Sequence, residues 1–237
     1  MIQFSGALVL LDIEGTVSPI AYVHEVLFPY ARAQAVAFLE RRRAEPLVVE
    51  ALQNIVAENQ PDAATTVDTW SIAELVKLIK ELMDRDAKQT GLKQLQGLIW
   101  EEGFTRGGLQ SELFPDVAPA LSAWVARGRQ VRIFSSGSIQ AQQLFFRYTA
   151  QGDLSHYLAG HHDTTTGPKR FAASYTAIAS QAGVAPNQIL YISDVTAELD
   201  AARAAGCLTA LAMRPGNAPN PPHTHAVIHS FAKIEIA

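Results

Sequence analysis

Short apolar runs, each closed by a small or polar residue, recur along the chain. Residues 7–11 (Ala-Leu-Val-Leu-Leu) end at Asp12, residues 131–134 (Val-Arg-Ile-Phe) at Ser135, and residues 189–192 (Ile-Leu-Tyr-Ile) at Ser193-Asp194. Runs of this length, rich in branched and aromatic residues, are how strands buried on both faces of a parallel sheet read. Residues 208–213 predict a fourth such strand and residues 226–228 a short edge strand. Between them the apolar positions take helical spacing, over residues 117–127, 138–148, 171–182 and 197–205. Strands alternating with helices predict an α/β fold built on a doubly wound parallel sheet.

The stretch from Val17 to Gln110 differs in kind. Residues 28–43 read as a helix with Pro29 in its first turn, and residues 46–58 as another. Over residues 71–85, Ile72, Leu75, Val76, Ile79, Leu82 and Met83 fall on one helical face, and Ser71 with Glu74 forms a capping-box pattern. Leu92, Leu95, Leu98 and Ile99 repeat that spacing. No strand signal, repeat or low-complexity tract interrupts it. The expected organisation is an α/β core from residues 1–16 and 111–237, with a helical insertion over residues 17–110. Residues 214–223, with four prolines, predict a surface loop.

Composition narrows the class. With 237 residues, 48% hydrophobic and 18% charged, the chain has enough apolar surface for a packed core. A net charge of −4 gives no electrostatic footprint for nucleic acid and no attraction to anionic lipid. One cysteine, Cys207, excludes an internal disulfide and a thiolate zinc cage. No run approaches the roughly 20 apolar residues of a membrane span, and Met1–Gly6 has no basic leader. The expectation is a soluble, cytoplasmic, monomeric protein.

Ligands of open α/β sheets bind at the carboxyl ends of the strands. That edge would gather Asp12 and Glu14, then Ser135, Ser136 and Gly137, then Asp194. Carboxylates at the ends of buried strands are costly unless paired or bound to a cation. Two of them on one edge suggest a hard, oxygen-liganded ion such as Mg²⁺. Ser135-Ser136-Gly137-Ser138, between a strand and a helix, suits a phosphate. Gly167-Pro168-Lys169 offers one positive charge, although Arg170 beside it fits the same description. Each piece alone has a plainer reading: Asp12 as a turn or cap residue, Ser135–Ser138 as a loop and N-cap, Lys169 as a solvated lysine, and Asp194 with Glu198 as helix-start charge. The ordered combination is what points to phosphoryl chemistry. His161 and His162 point to opposite sides of an extended segment. His223 and His225 lie in the proline-rich tail, where exposure is expected, Cys207 reads as a buried small hydrophobe, and Trp70, Trp100 and Trp124 read as core.

These motifs resemble the haloacid dehalogenase superfamily, with the nearest match in the enolase-phosphatase (acireductone synthase) family. The first motif, Asp12-Ile13-Glu14-Gly15-Thr16, has Glu where the superfamily usually has a second Asp, as the enolase-phosphatases do. Ser18 to Val23, Leu27 to Tyr30, Leu95 to Trp100, Ser135 to Ser138, Gly160 to Thr164, Gly167 to Lys169 and Ser193 to Val195 also look like that family. Tyr22 and His162 stand where its pattern has Phe. The resemblance implies a haloacid dehalogenase-like core with an inserted helical cap. It also implies a small-molecule phosphate ester as partner, 2,3-diketo-5-methylthiopentyl 1-phosphate of methionine salvage, first enolised and then dephosphorylated. Asp12 would be the nucleophile and Glu14 the acid–base. Ser135, Ser136, Gly137 and Lys169 would hold the phosphoryl group. One Mg²⁺ would be held by Asp12, Asp194 and the backbone carbonyl of Glu14. The base for enolisation stays open between Glu14 and a residue of the cap. Alternatives are another Mg²⁺-dependent phosphatase of the superfamily and a receiver-type phospho-acceptor module, whose acceptor is not followed by such an insertion.

Overall fold

In the computed structural model, which describes residues 1–60, 67–85 and 87–237, the chain opens with strands β1 (Ile2–Phe4) and β2 (Leu8–Leu11) and a helical turn, α1 (Ile20–Tyr22). Next come α2 (Phe28–Arg42), α3 (Pro46–Asn59), α4 (Ile72–Asp84) and α5 (Thr90–Thr105). The α/β alternation follows with α6 (Val117–Ala126), β3 (Gln130–Phe134), α7 (Ile139–Arg147), β4 (Gly160–His162), α8 (Ala172–Ala182) and β5 (Ile189–Ser193). It ends with α9 (Thr196–Ala204), β6 (Leu208–Ala212), β7 (Ala226–Ile228) and β8 (Ile234–Ile236). Packing divides the chain into two units, Met1–Tyr22 with Gln110–Ala237, and Val23–Leu109.

In the first unit six strands pair in the order β4-β3-β2-β5-β6-β7, every pair parallel. Leu8, Val9, Leu10 and Leu11 of β2 are fully buried in the middle of the sheet. On one face α8 and α9 bring Tyr175, Ile178, Leu199 and Ala202 against Leu8, Leu10, Ile189 and Tyr191. Each buried Leu or Ile side chain there stabilises the fold by roughly 1.5–3 kcal/mol. Cys207 joins this cluster, and burial pushes its thiol up to about 12. β7 is the edge strand, as the pattern predicted. The pattern missed β1, β4 and β8, which, unlike the equally short β7, hold no unbroken apolar run; β1 pairs with β8 in a small separate sheet.

The units part at Tyr22 and Gln110, not at the expected residues 16 and 111, because the backbone after β2 is tied back into the α/β unit. Phe114 N–H donates to Val17 O at 3.0 Å and Ser18 Oγ to Glu112 O at 2.7 Å.

The second unit is helical, with α2 to α5 around their own core, including Phe38, Leu52, Ile55, Leu75, Ile79 and Leu95. The capping box at α4 is formed: Glu74 N–H donates to Ser71 Oγ at 3.2 Å, and Ser71 N–H to Glu74 Oε2 at 2.8 Å. The expected insertion also contains residues 61–66 and 86, which lie outside the described residues. Among the described residues, no helix is long and apolar enough to cross a membrane.

Two expectations of exposure are corrected. Arg214 is buried although prolines and glycine follow it, because Asp116 accepts from its Nη1 at 2.8 and 3.0 Å and its guanidinium lies over the rings of Phe114 and Phe231. His225 is buried because both ring nitrogens are engaged, Nε2 with Asp200 at 3.0 Å and Nδ1 with Thr209 Oγ1 at 2.8 Å.

Candidate active site

The strand order reverses between β2 and β5, and a crevice opens at the carboxyl ends of such a pair. Leu11 lies opposite Ile192, so Asp12 and Ser193-Asp194 leave the sheet side by side. Asp12 Oδ1 accepts from Ile13 N–H at 2.8 Å. The same oxygen lies 2.7 Å from Lys169 Nζ, whose side chain is only 10% exposed. The turn carrying Lys169 is locked onto α8: Ser174 Oγ donates to Pro168 O at 2.8 Å and Tyr175 Oη to Lys169 O at 2.6 Å. That locking selects Lys169; Arg170, left open in the sequence, is exposed.

Lys169 Nζ also stands 2.7 Å from Glu198 Oε2, in the first turn of α9. Tyr191 Oη donates to the same carboxylate oxygen at 2.8 Å. Ser193 Oγ lies 3.0 Å from Glu198 Oε2 and 3.2 Å from Asp12 Oδ2, and its single proton bonds one or the other. One ammonium therefore faces two buried carboxylates, with Asp194 nearby.

Burial pushes Asp12 up to about 7, with Lys169 pulling the other way and Glu198 adding to the rise. Burial also pushes Asp194 up to about 6, and Glu198 adds to it. For Lys169 burial acts downward, but the charges of Asp12 and Glu198 outweigh it and hold the ammonium above its ordinary value. Negative charge exceeds positive in a desolvated site, which is the condition that favours a further cation. Among the described residues no three His, Cys, Asp or Glu side chains form a cage. Two carboxylates completed by main-chain oxygen, water and substrate phosphate are instead what Mg²⁺ takes. Gly15 keeps the space open: its φ is +67°, and a Cβ there would collide with the Asp194 carboxylate. The donor set fits a divalent ion. Glu14 is exposed on the same loop, so its side chain is free of that set.

Ser135, Ser136 and Gly137 follow β3, the other neighbour of β2. Ser135 is buried and Ser136 exposed. Gly137 N–H turns inward to Ser135 Oγ at 3.3 Å, and Ser138 caps α7 by accepting from Ala141 N–H at 3.2 Å. Gln142 braces the loop: its Nε2 donates to Gly137 O at 2.8 Å and to His162 O at 2.9 Å. His162 is buried, and burial holds it down at about 4, a neutral ring.

The structure thus brings Asp12, Lys169 and Asp194 together, places Ser135–Gly137 on the adjacent strand end, and leaves Glu14 on the loop. The sequence reading counted Glu198 in the ordered motif, one helical turn after Ser193-Asp194, but gave it no role, and it did not single out Tyr191, Gln142 or Asn217.

Comparison with known proteins agrees with this geometry. The model of the haloacid dehalogenase-like hydrolases matches residues 7–206. The chain is 49% identical over 228 residues to enolase-phosphatase E1 of Synechococcus elongatus, covering 95% of this chain and 96% of the relative. It is 45% identical over 229 residues to enolase-phosphatase E1 of Citrobacter koseri, covering 95% of each. The crystal structure of the UTR4 protein of Saccharomyces cerevisiae superimposes with a TM-score of 0.79 at 34% identity, over 97% of this chain and 100% of that one. A receiver-type signalling module is thereby set aside: the chain belongs to the haloacid dehalogenase-like hydrolases and, among them, to the enolase-phosphatase E1 family.

Proposed function

We propose that this chain is the enolase-phosphatase of methionine salvage. It converts 2,3-diketo-5-methylthiopentyl 1-phosphate and water to 1,2-dihydroxy-3-keto-5-methylthiopentene and phosphate. The observation that carries the reading is the buried Lys169 ammonium shared by Asp12 and Glu198 where the strand order reverses. The names of the E1 relatives support the same reaction.

After enolisation, an Asp12 carboxylate oxygen attacks phosphorus and the bond from phosphorus to the substrate oxygen breaks, leaving an aspartyl phosphate. Glu14 gives its proton to the departing oxygen, then takes one from the water that attacks the aspartyl phosphate and frees phosphate. Lys169, Ser135 and the N–H groups of Ser136 and Gly137 hold the phosphoryl oxygens. For Gly137 this requires exchanging its bond to Ser135 Oγ for one to the substrate. Mg²⁺ would be held by Asp12, Asp194 and the Glu14 carbonyl, and would supply positive charge to offset that of the nucleophile and the phosphate. Glu198, braced by Tyr191, keeps Lys169 protonated and aimed. The helical unit takes the cap role that the family pattern implies. A cytoplasmic, monomeric enzyme belongs to the same proposal.

The test is turnover of the diketone phosphate under anaerobic conditions, with phosphate and the enediol absorbance followed together. Wild type is expected to yield both. Asp12→Asn is expected to form the phosphorylated enol and release no phosphate. Phosphate without the enediol would mark another Mg²⁺-dependent phosphatase of the superfamily.

A further inference from the structure

Asn217 is anchored by its nitrogen. Its Nδ2 donates to Gly15 O at 2.9 Å and to Ala212 O at 3.1 Å. Both partners are carbonyl oxygens, so only the NH₂ end of the carboxamide fits there, and the oxygen is turned away from them. That oxygen, Oδ1, is buried and has no hydrogen-bond partner. It points toward the nucleophile loop: a Cβ on Gly15 would lie 3.1 Å from Asn217 Oδ1 and would overlap Asp194 Oδ2. Asn217 Oδ1 and the Asp194 carboxylate are therefore neighbours across the glycine. Both are acceptors.

The turn that presents Asn217 is itself held in place. Arg214, 3% exposed in its side chain, donates from Nε to Thr16 O at 3.0 Å, and Asn217 N–H closes the turn onto Arg214 O at 3.2 Å. Residues 214–217 thus grip the carbonyls of Gly15 and Thr16, just past Asp12 and Glu14. A buried acceptor left without a donor is costly. Two acceptors set against each other need a donor between them, and a water on a divalent cation is such a donor.

We propose that Asn217 is an outer-shell positioning residue of the cation site: its Oδ1 accepts a hydrogen bond from a water bound to the Mg²⁺ that Asp194 holds, while its Nδ2 fixes the Gly15 carbonyl. The inference rests on the cation-dependent reading of the site and adds a residue to it. Removing such outer-shell partners typically weakens metal binding about 10–100-fold.

The experiment is calorimetric titration of wild type, Asn217→Ala and Asn217→Asp with Mg²⁺ alone, beside thermal unfolding with and without the ion. Asn217→Ala is expected to raise the Mg²⁺ dissociation constant about ten-fold or more and to shrink the Mg²⁺-induced rise in Tm. Asn217→Asp keeps an oxygen and loses the NH₂, so it is expected to bind Mg²⁺ within about three-fold of wild type, while its metal-free Tm falls as that of Asn217→Ala does. If Asn217→Ala binds within two-fold of wild type, or Asn217→Asp binds no better than Asn217→Ala, the nitrogen's bonds to the loop explain everything and the proposal is overturned. If wild type takes up no Mg²⁺, the cation reading of the whole site falls, and this proposal with it.

Discussion

Glu198 holds the ammonium of Lys169 at 2.7 Å, the same distance at which that ammonium meets Asp12. Lys169→Met therefore strands two buried carboxylates, with a proton as the partner left for them to take up. The variant is expected to lose phosphate release and to be destabilised by about 3 kcal/mol at neutral pH. Its deficit is expected to shrink as the pH falls, since protonation relieves the uncompensated charge. Denaturant unfolding of both proteins at pH 8 and pH 5.5 checks this. A deficit that stays level or grows toward low pH would show that Lys169 does not neutralise the pair.

Glu14 is exposed on the loop after Asp12, outside the buried network. Glu14→Gln is expected to leave Mg²⁺ affinity within a few-fold and to slow phosphate release about 10²-fold or more. Rapid-quench kinetics beside calorimetry separate the two effects. A large loss of Mg²⁺ binding with an intact chemical step would reverse the assignment.

Gly15 sits at φ +67° against the Asp194 carboxylate. Gly15→Ala is expected to lose about 1–2 kcal/mol from the left-handed backbone alone. Displacement of Asp194 is expected to weaken Mg²⁺ binding at least ten-fold beyond that. An alanine variant that shows the stability loss but binds Mg²⁺ normally would remove Asp194 from the ligand set.

Asp116 supplies the pH dependence that is independent of the cation. Burial acts to raise its carboxyl, but hydrogen bonds from Arg214 and from Phe231 N–H outweigh it and hold it below its ordinary 3.8. A carboxylate lowered on folding contributes stability that is present above its unfolded value and lost as the pH falls through its folded one. Asp116→Asn is expected to cost on the order of 3 kcal/mol at pH 7, because Arg214 is left buried without its counter-charge. The difference from wild type is expected to hold down to about pH 4 and to fade below it. Chemical denaturation across pH 3–7 gives the curve, and a difference that vanishes already at pH 6 would point to another group.

Local burial was legible in the sequence where both faces of an element demand the same thing. Leu8–Leu11 reads as a central strand because no polar residue interrupts it, and α4 reads from its apolar stripe and its Ser71–Glu74 cap. β4, Gly-His-His, has no apolar run to announce a strand, whereas the equally short β7 reads because all three of its residues are apolar. The edge carrying Asp12, Lys169 and Asp194 was legible from their order along the strands. Their partners were not. The Lys169–Glu198 pair joins a turn to a helix start, and Arg214–Asp116 spans 98 positions. Neither leaves a spacing in the sequence. Prolines around residue 214 signalled a loop correctly, but whether a loop side chain is buried depends on a distant partner's charge, as His225 with Asp200 also shows.

The parallel sheet has a consequence for how the chain is made. β2 leaves the ribosome well before either of its neighbours, Gln130–Phe134 on one edge and Ile189–Ser193 on the other. Pairing across such separations is slow, whereas the helical core between Ala31 and Ile99 is built from nearer neighbours and closes on itself sooner. At 5–20 residues per second, the second edge of β2 waits on the order of seconds after the first is covered. Through that interval a wholly apolar strand shows an open row of backbone donors and acceptors, the form most prone to pair with another chain. Asp12, at the tip of that strand, meets Ser193 only after a further 181 positions have been synthesised.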